Sequence, residues 1–328
     1  MNSRPDLTGR LISVVGRRVS AANEDWRGRW LSYLPTVAFL VLATIAAVTS
    51  DAFLSQGNLS NLFRQIVTNG LVSLGMLTVI LSAGIDLSVG SIVALAGIVA
   101  AGLLNILPWP LAIPLAVGVA MIAGGINGTL VAGFRLPPFV ATLATMSAIR
   151  GFVYVVSETP ITPTDMTFGR IVASSVGPVP TPAIFMICCF MVVSLFLSRT
   201  TMGRAIYAIG GNEEAVRLSG INVRAHIMLA YLISGLFAGL AGVILASRVG
   251  IAQPSVGSGL ELDAIAACVI GGASLAGGRG SVRGTFAGVL LLGLISNLLN
   301  LYNVQAYYQQ IFKGALIVLA VLARRREG

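Results

Sequence analysis

Ten long apolar runs in succession limit this chain more than any other feature. They occupy residues 33–50, 66–83, 88–106, 110–132, 138–157, 181–198, 224–247, 260–276, 284–301 and 306–323. Each approaches the length of about 20 residues, range about 17 to 25, that a helix needs to cross the hydrocarbon layer. In lipid every backbone polar group must be satisfied within the protein, which favours helices over open sheets. Of the 328 residues, 56% are hydrophobic and 10% charged, against about 25% charged in a typical soluble domain. One globular core cannot hide that much apolar surface. The chain reads as all-α, a polytopic membrane protein with about ten transmembrane helices. The run 260–276 fits least well, since it holds Glu261 and Asp263 and ends among glycines.

Charge sets an orientation. The net charge of +9 reads as topology information rather than as a nucleic-acid footprint, because Lys and Arg collect in cytoplasmic loops. With both termini inside, sixteen basic residues fall on the cytoplasmic side and three, Arg64, Arg170 and Arg248, outside. Arg150 and Lys313 fall within apolar runs. Residues 1–30 are polar and Arg-rich and read as a cytoplasmic arm rather than a cleaved signal peptide. Residues 31–328 form the transmembrane domain. The stretches "LPWP" (107–110) and "FRLPPF" (134–139) are turns, since proline cannot continue the donor ladder. The polar, Pro-rich segment 158–180 is the longest outside connection. Cys188, Cys189 and Cys268 all lie in apolar runs and read as small buried hydrophobes; with one histidine, no metal site is expected.

Residues 81–104, "LSAGIDLSVGSIVALAGIVAAGLL", place a carboxylate and several glycines inside apparent membrane sequence. Two readings of Asp86 are open. As the cap of the third span, with Ser88 in the first turn, it accepts free backbone N–H groups at the positive end of the helix dipole. Alternatively a broken helix lines an aqueous path, and Asp86 or Ser88 meets a polar substrate. Glu261 has the same pair of readings. Asn127 either joins two helices or faces the path. With Thr142, these residues make up the candidate substrate path. Arg150 is expected to snorkel or to pair with Glu158. Lys313 pairs with a carboxylate or lines the path, and Tyr307 and Tyr308 read as interfacial anchors. A short internal repeat links "TVILSAGIDLSVGSIVALAG" (78–97) to "GVILASR" (242–248) followed by "GLELDAIAACVIGG" (259–272). In the ten-span topology the two copies have opposite orientation, as an inverted repeat requires.

The chain carries no phosphate-binding loop of the form G-x-x-x-x-G-K-[ST], because its single lysine, Lys313, precedes Gly314. An ion gradient, a separate ATPase or passive flow remains as the driving arrangement. The inside loop 199–224 carries its own helix signals. Asn212 is a cap, Glu213 and Glu214 occupy the first turn, and Gly220 follows the last. An isolated cytoplasmic helix of about two turns results, with an apolar edge of Ala215 and Leu218 and a charged edge including Arg217.

Four stretches, "GIDLSVGSIVAL" (84–95), "NGTLVAGFRLPPFVATLATMSAIRG" (127–151), "GGNEEAVRLSGI" (210–221) and "VIGGASLAGGRGSVRGTFAGVLLLGLISNLLNL" (269–301), resemble the ribose-type permease subunits of bacterial ABC importers for sugars. The resemblance extends over nearly all of the chain beyond residue 30; Val216 stands where the family more often has Ala. It implies an inner-membrane, multi-pass permease paired with a second copy or a paralogue. It further implies partner ATPase subunits that bind ATP and Mg, a periplasmic sugar-binding protein, and a coupling role for 210–221. No cofactor in this chain, no catalytic residue and no nucleic-acid partner is expected. An ion-coupled secondary transporter and a passive channel are the competing functions.

Overall fold

Prolines and capping side chains set where the helices begin. In this computed structural model, which describes residues 33–165 and 167–325, the chain forms α1 (Tyr33–Thr49) and α2 (Gln56–Leu81), the latter capped by the Ser55 hydroxyl. Next come α3 (Val89–Leu103) and α4 (Trp109–Gly128), which Thr129–Gly133 extends as a π-helical turn. α5 (Pro138–Val156) follows. Both "LPWP" and "FRLPPF" become helix starts, where the missing proline N–H costs nothing. The segment 158–180 holds α6 (Thr167–Ala173) and a small hairpin, β1 (Ser175–Val176) and β2 (Val179–Pro180), the latter pair standing outside the all-α expectation. The chain continues through α7 (Thr181–Arg199), α8 (Thr201–Gly211), α9 (Glu213–Leu218), α10 (Val223–Val249), α11 (Leu260–Ile270), α12 (Val282–Leu301) and α13 (Ala306–Arg325).

All ten apolar runs contain helix, but six helices among the described residues are long and apolar enough to cross a membrane: α2, α4 with its π turn, α5, α7, α10 and α12. By length and hydropathy these six are the candidate spans, and the shorter apolar helices Tyr33–Thr49 and Val89–Leu103 stand beside them. The segment 260–276 is the clearest departure. Its helix α11 has 11 residues and stops at Ile270, because the chain turns at Gly271 and Gly272, the latter at φ +108°. Hydropathy alone does not register such a stop.

α2 and α10 form the centre and run antiparallel. The Arg248 guanidinium meets the Arg64 carbonyl at one end, and the Thr78 hydroxyl meets the Ala230 carbonyl (3.1 Å) near the other. Leu71, Leu74, Leu77, Ile80 and Leu81 of α2 are fully buried. α4 crosses α10 at Gly124 and Gly235, whose backbones approach too closely for a side chain on either. α5 lies at the edge, with Phe139, Val140, Leu143, Phe152 and Val155 exposed, an apolar surface suited to lipid or to another helix.

Two short helices start inside this body rather than at its ends. After α2 the chain reverses at Ala83 (φ +61°), and Asp86 then lies beside Ser234. Ser234 is eleven residues into α10, roughly 16 Å along its axis. α3 continues from there in the same sense as α10, with Val93 and Gly97 against Gly242. α11 runs alongside α2 in the same sense, since Asp263 lies by Asn69 and Cys268 by Ser73. The two helix starts face each other where Gly90 packs on the Gly257 carbonyl.

Candidate translocation and coupling sites

The reversal after α2 delivers Asp86 into a closed polar network. Its Oδ1 accepts the Ser88 backbone N–H (3.1 Å), the Ser88 hydroxyl (2.7 Å) and the Asn127 amide (3.3 Å). Its Oδ2 accepts the Ser234 hydroxyl of α10 (2.8 Å). The Asn127 amide also reaches the Ser88 hydroxyl (2.7 Å), and its Oδ1 accepts the Thr145 hydroxyl of α5 (2.5 Å). Beside this network Thr142 donates to the Ile85 carbonyl (3.1 Å), and so does Tyr231 (3.4 Å). Asp86, Ser88, Asn127 and Thr142 are fully buried. A buried carboxylate is tolerated at such depth only when it is hydrogen-bonded this completely.

The capping expectation needs correction here. The N-cap of α3 is Ser88, and no side chain accepts the free N–H groups of that first turn. Asp86 sits two residues before that cap, so it bonds to Ser88 itself and across to α4 and α10. Of the expected path residues, Asp86, Ser88, Asn127 and Thr142 come together. Glu261 stands apart and half-buried, accepting the Gly259 N–H (3.1 Å) at the start of α11. Ser234, Thr145 and Tyr231 complete the arrangement. Sequence reasoning missed them because a lone hydroxyl in "YLISGLF" or "LATMS" carries no local signal of its partner.

Other polar residues hold helices together. Arg150 does not pair with Glu158; its Nη1 donates to the carbonyls of Pro254 (2.6 Å) and Val256 (2.8 Å), tying α5 to the segment before α11. Lys313 forms an ion pair with Asp263 (2.7 Å), joining α13 to α11. Tyr307 and Tyr308 are exposed. Cys268 is buried and Cys189 half-buried, but Cys188 is exposed on α7, a helix too uniformly apolar for its sequence to mark an inward face.

The segment 199–224 follows its local signals closely. The Asn212 side-chain oxygen accepts the Ala215 N–H (2.9 Å), Glu213 and Glu214 fill the first turn, and Gly220 adopts φ +81° after the last. Arg217 pairs with Glu214 through two hydrogen bonds and holds that carboxyl below its usual range. Ala215 and Leu218 are exposed, Leu218 at 76%. Val216 turns inward and is buried with Val223 and Ile227. It anchors α9 to the body, a role its type alone did not reveal. Between α9 and the start of α5 lies an open cavity of about 760 Å³, bounded by Glu213, Glu214 and Arg217 on one side and Leu136, Pro137 and Pro138 on the other. Gly84 and Tyr231 form its inner wall.

Long apolar helices, a polar network buried among them and a capped helix outside them define a polytopic membrane transport component. The chain belongs to the family described as branched-chain amino acid transport system / permease component, whose model matches residues 58–321. It is 44% identical over 299 residues to the ribose import permease protein RbsC of Escherichia coli K12, covering 89% of this chain and 92% of that one. It is 43% identical over 294 residues to the ribose import permease protein RbsC of Haemophilus influenzae, covering 88% and 91%. To the D-allose transport system permease protein AlsC of Escherichia coli K12 it is 40% identical over 294 residues, covering 88% and 90%. These relatives are named as permeases, not as enzymes. No solved structure matches the chain.

Proposed function

We propose that this chain is the membrane-spanning permease subunit of an ATP-driven importer and forms the translocation path for a sugar or similar small polar solute. The carrying observation is 40–44% identity to ribose and allose permeases over about nine-tenths of the chain. The exposed, doubly capped α9 supports the same reading, because a plain connector needs neither the Asn212 cap nor the Arg217–Glu214 pair. ATP and Mg are then bound by a partner ATPase that docks at α9. A periplasmic binding protein delivers the solute, and a second permease copy or paralogue completes the path. The protein lies in the bacterial inner membrane with both termini cytoplasmic, as its basic residues suggest. The antiparallel α2 and α10, each followed by a left-handed residue and a short helix, support an inverted repeat. An ion-coupled carrier fits less well: the oxygens of Asp86 are filled by protein donors, and Asp263 is paired with Lys313.

Copurification with the ATPase and ATP-dependent uptake in proteoliposomes test the assignment. Transport by this chain alone would overturn it. Cysteines introduced at Gly177 and Asn212 are expected to label from opposite faces of the membrane; labelling from one face would refute the orientation. At α9, Leu218→Asp is expected to uncouple ATP hydrolysis from uptake more severely than Glu213→Ala. A desolvated anchor typically contributes more than a rim charge, about 2 kcal/mol or above against a fraction of that. Membrane levels should not change, since Leu218 is exposed. Wild-type coupling in Leu218→Asp would remove the proposed docking surface.

A further inference from the structure

The buried network identifies positioning residues for transport. We infer that the hydrogen-bonded chain Ser234–Asp86–Asn127–Thr145 is the link through which movement of the α9–α10 unit positions α5. The inference rests on the importer reading above.

Three observations carry it. First, α10 is well placed to transmit displacement. It is 27 residues long, follows α9 after a turn capped by Asn222, and packs at Gly235 and Gly242 directly on the backbones of α4 and α3. Such contacts leave little room for it to bend independently.

Second, α5 is attached in an unusual way. Much of its apolar surface is exposed; Ala141 and Val153 are buried on its inner side, and polar contacts fix it along that same side. Thr142 bonds to the Ile85 carbonyl, Thr145 to Asn127, the Met146 carbonyl to the Ser91 hydroxyl (2.9 Å), and Arg150 to the segment before α11. Directional bonds of this kind hold one arrangement or are lost, whereas apolar contacts slide. α5 is therefore suited to discrete positions.

Third, the direct route is open space. α5 has no extended contact with α9 or α10, and the 760 Å³ cavity separates its first turn from α9. Besides the packing of α10 on α3 and of α3 on α5, a route from the coupling loop runs through α8, whose Gly210 packs on the Leu81 carbonyl. That route also leads into residues 82–88, the segment that carries Asp86. Asp86 thus lies where both routes meet, with Oδ2 committed to α10 and Oδ1 to α3 and α4.

A double-mutant cycle between the ends of the chain tests the link, because Ser234 reaches Thr145 through Asp86 and Asn127, with Ser88 bridging that pair. The complex of permease, ATPase and binding protein is reconstituted with wild type, Ser234→Ala, Thr145→Val and the double variant, and solute moved per ATP hydrolysed is measured. Each single variant is expected to lower that ratio about tenfold, the scale of one buried hydrogen bond. The double variant should lose no more than either single one, because a broken chain cannot be broken again. Ser147→Ala, on α5 but bonded only to its own Leu143 carbonyl, should behave as wild type. Where Ser234→Ala fails to accumulate, Ser234→Cys keeps the volume and weakens the donor, and the cycle is run with it. Losses that multiply in the double variant, or single variants with unchanged ratios, overturn the relay. A wild-type complex without ATP-dependent uptake instead refutes the importer reading, which keeps the two failures distinct.

Discussion

Gly235→Leu is expected to remove nearly all folded protein from the membrane. A side chain at Gly235 runs into the Ala120 carbonyl and lies within 3.1 Å of the Gly124 Cα, and one at Gly124 meets the Tyr231 carbonyl. These obstacles are backbone atoms, so no rotamer change relieves them. Overpacking of a close-packed interior commonly costs about 1–3 kcal/mol and more where the backbone must shift. Here α4 would have to leave α10, exposing the Asn127 end of α4 and opening the Asp86 network. In membranes, where apolar burial gives helices little reason to associate, close backbone packing is a main source of cohesion. Gly118 of α4 has nothing within 4 Å of the point where a methyl group would sit, so Gly118→Ala should be neutral or mildly stabilising, by up to about 1 kcal/mol of helix propensity. Membrane levels and detergent-extracted thermal unfolding of the two variants measure the contrast. Equal levels of Gly235→Leu and wild type would refute the packing account.

Asp86→Leu is expected to be nearly as damaging, and Asp86→Asn far less so. Leucine withdraws the acceptor from the Ser88 N–H, the Ser88 hydroxyl, the Asn127 amide and the Ser234 hydroxyl. Each buried donor left without a partner costs about 1–3 kcal/mol. The total is smaller than a simple multiple, since Asn127 and Ser88 still bond to each other at 2.7 Å. Asparagine keeps an oxygen for the three donors at Oδ1, and the Ser234 hydroxyl can turn to accept from the new amide. Asp86→Asn should therefore reach membrane levels close to wild type with part of its transport retained, while Asp86→Leu accumulates poorly. Full assembly of Asp86→Leu beside a well-folded but inactive Asp86→Asn would show that charge, not geometry, is what Asp86 supplies.

Legibility in the sequence followed distance along the chain. α9 was readable because everything that makes it is local: Asn212 accepts an N–H three residues away, and Gly220 ends it with a backbone conformation that favours glycine. The starts of α4 and α5 were readable for the same reason, from Pro110 and Pro138. The membrane class needed only hydropathy and length, and family membership followed from stretches of contiguous residues.

The sequence by itself thus determined a helical membrane chain, the position of the capped helix α9 and the candidate polar residues. Only the tertiary structure decided what those residues touch. Asp86 meets Ser234 across 148 positions, Arg150 bonds to carbonyls more than a hundred residues away rather than to Glu158, and Val216 instead of Leu218 turns inward. It also decided that the run 260–276 is a short helix and a glycine turn rather than a span. The physical reason is common to the three side chains. In a chain this apolar, hydropathy hardly distinguishes one helix face from another, so inward and outward faces are assigned by close backbone approach and by long-range hydrogen bonds, which exist only once the helices have packed.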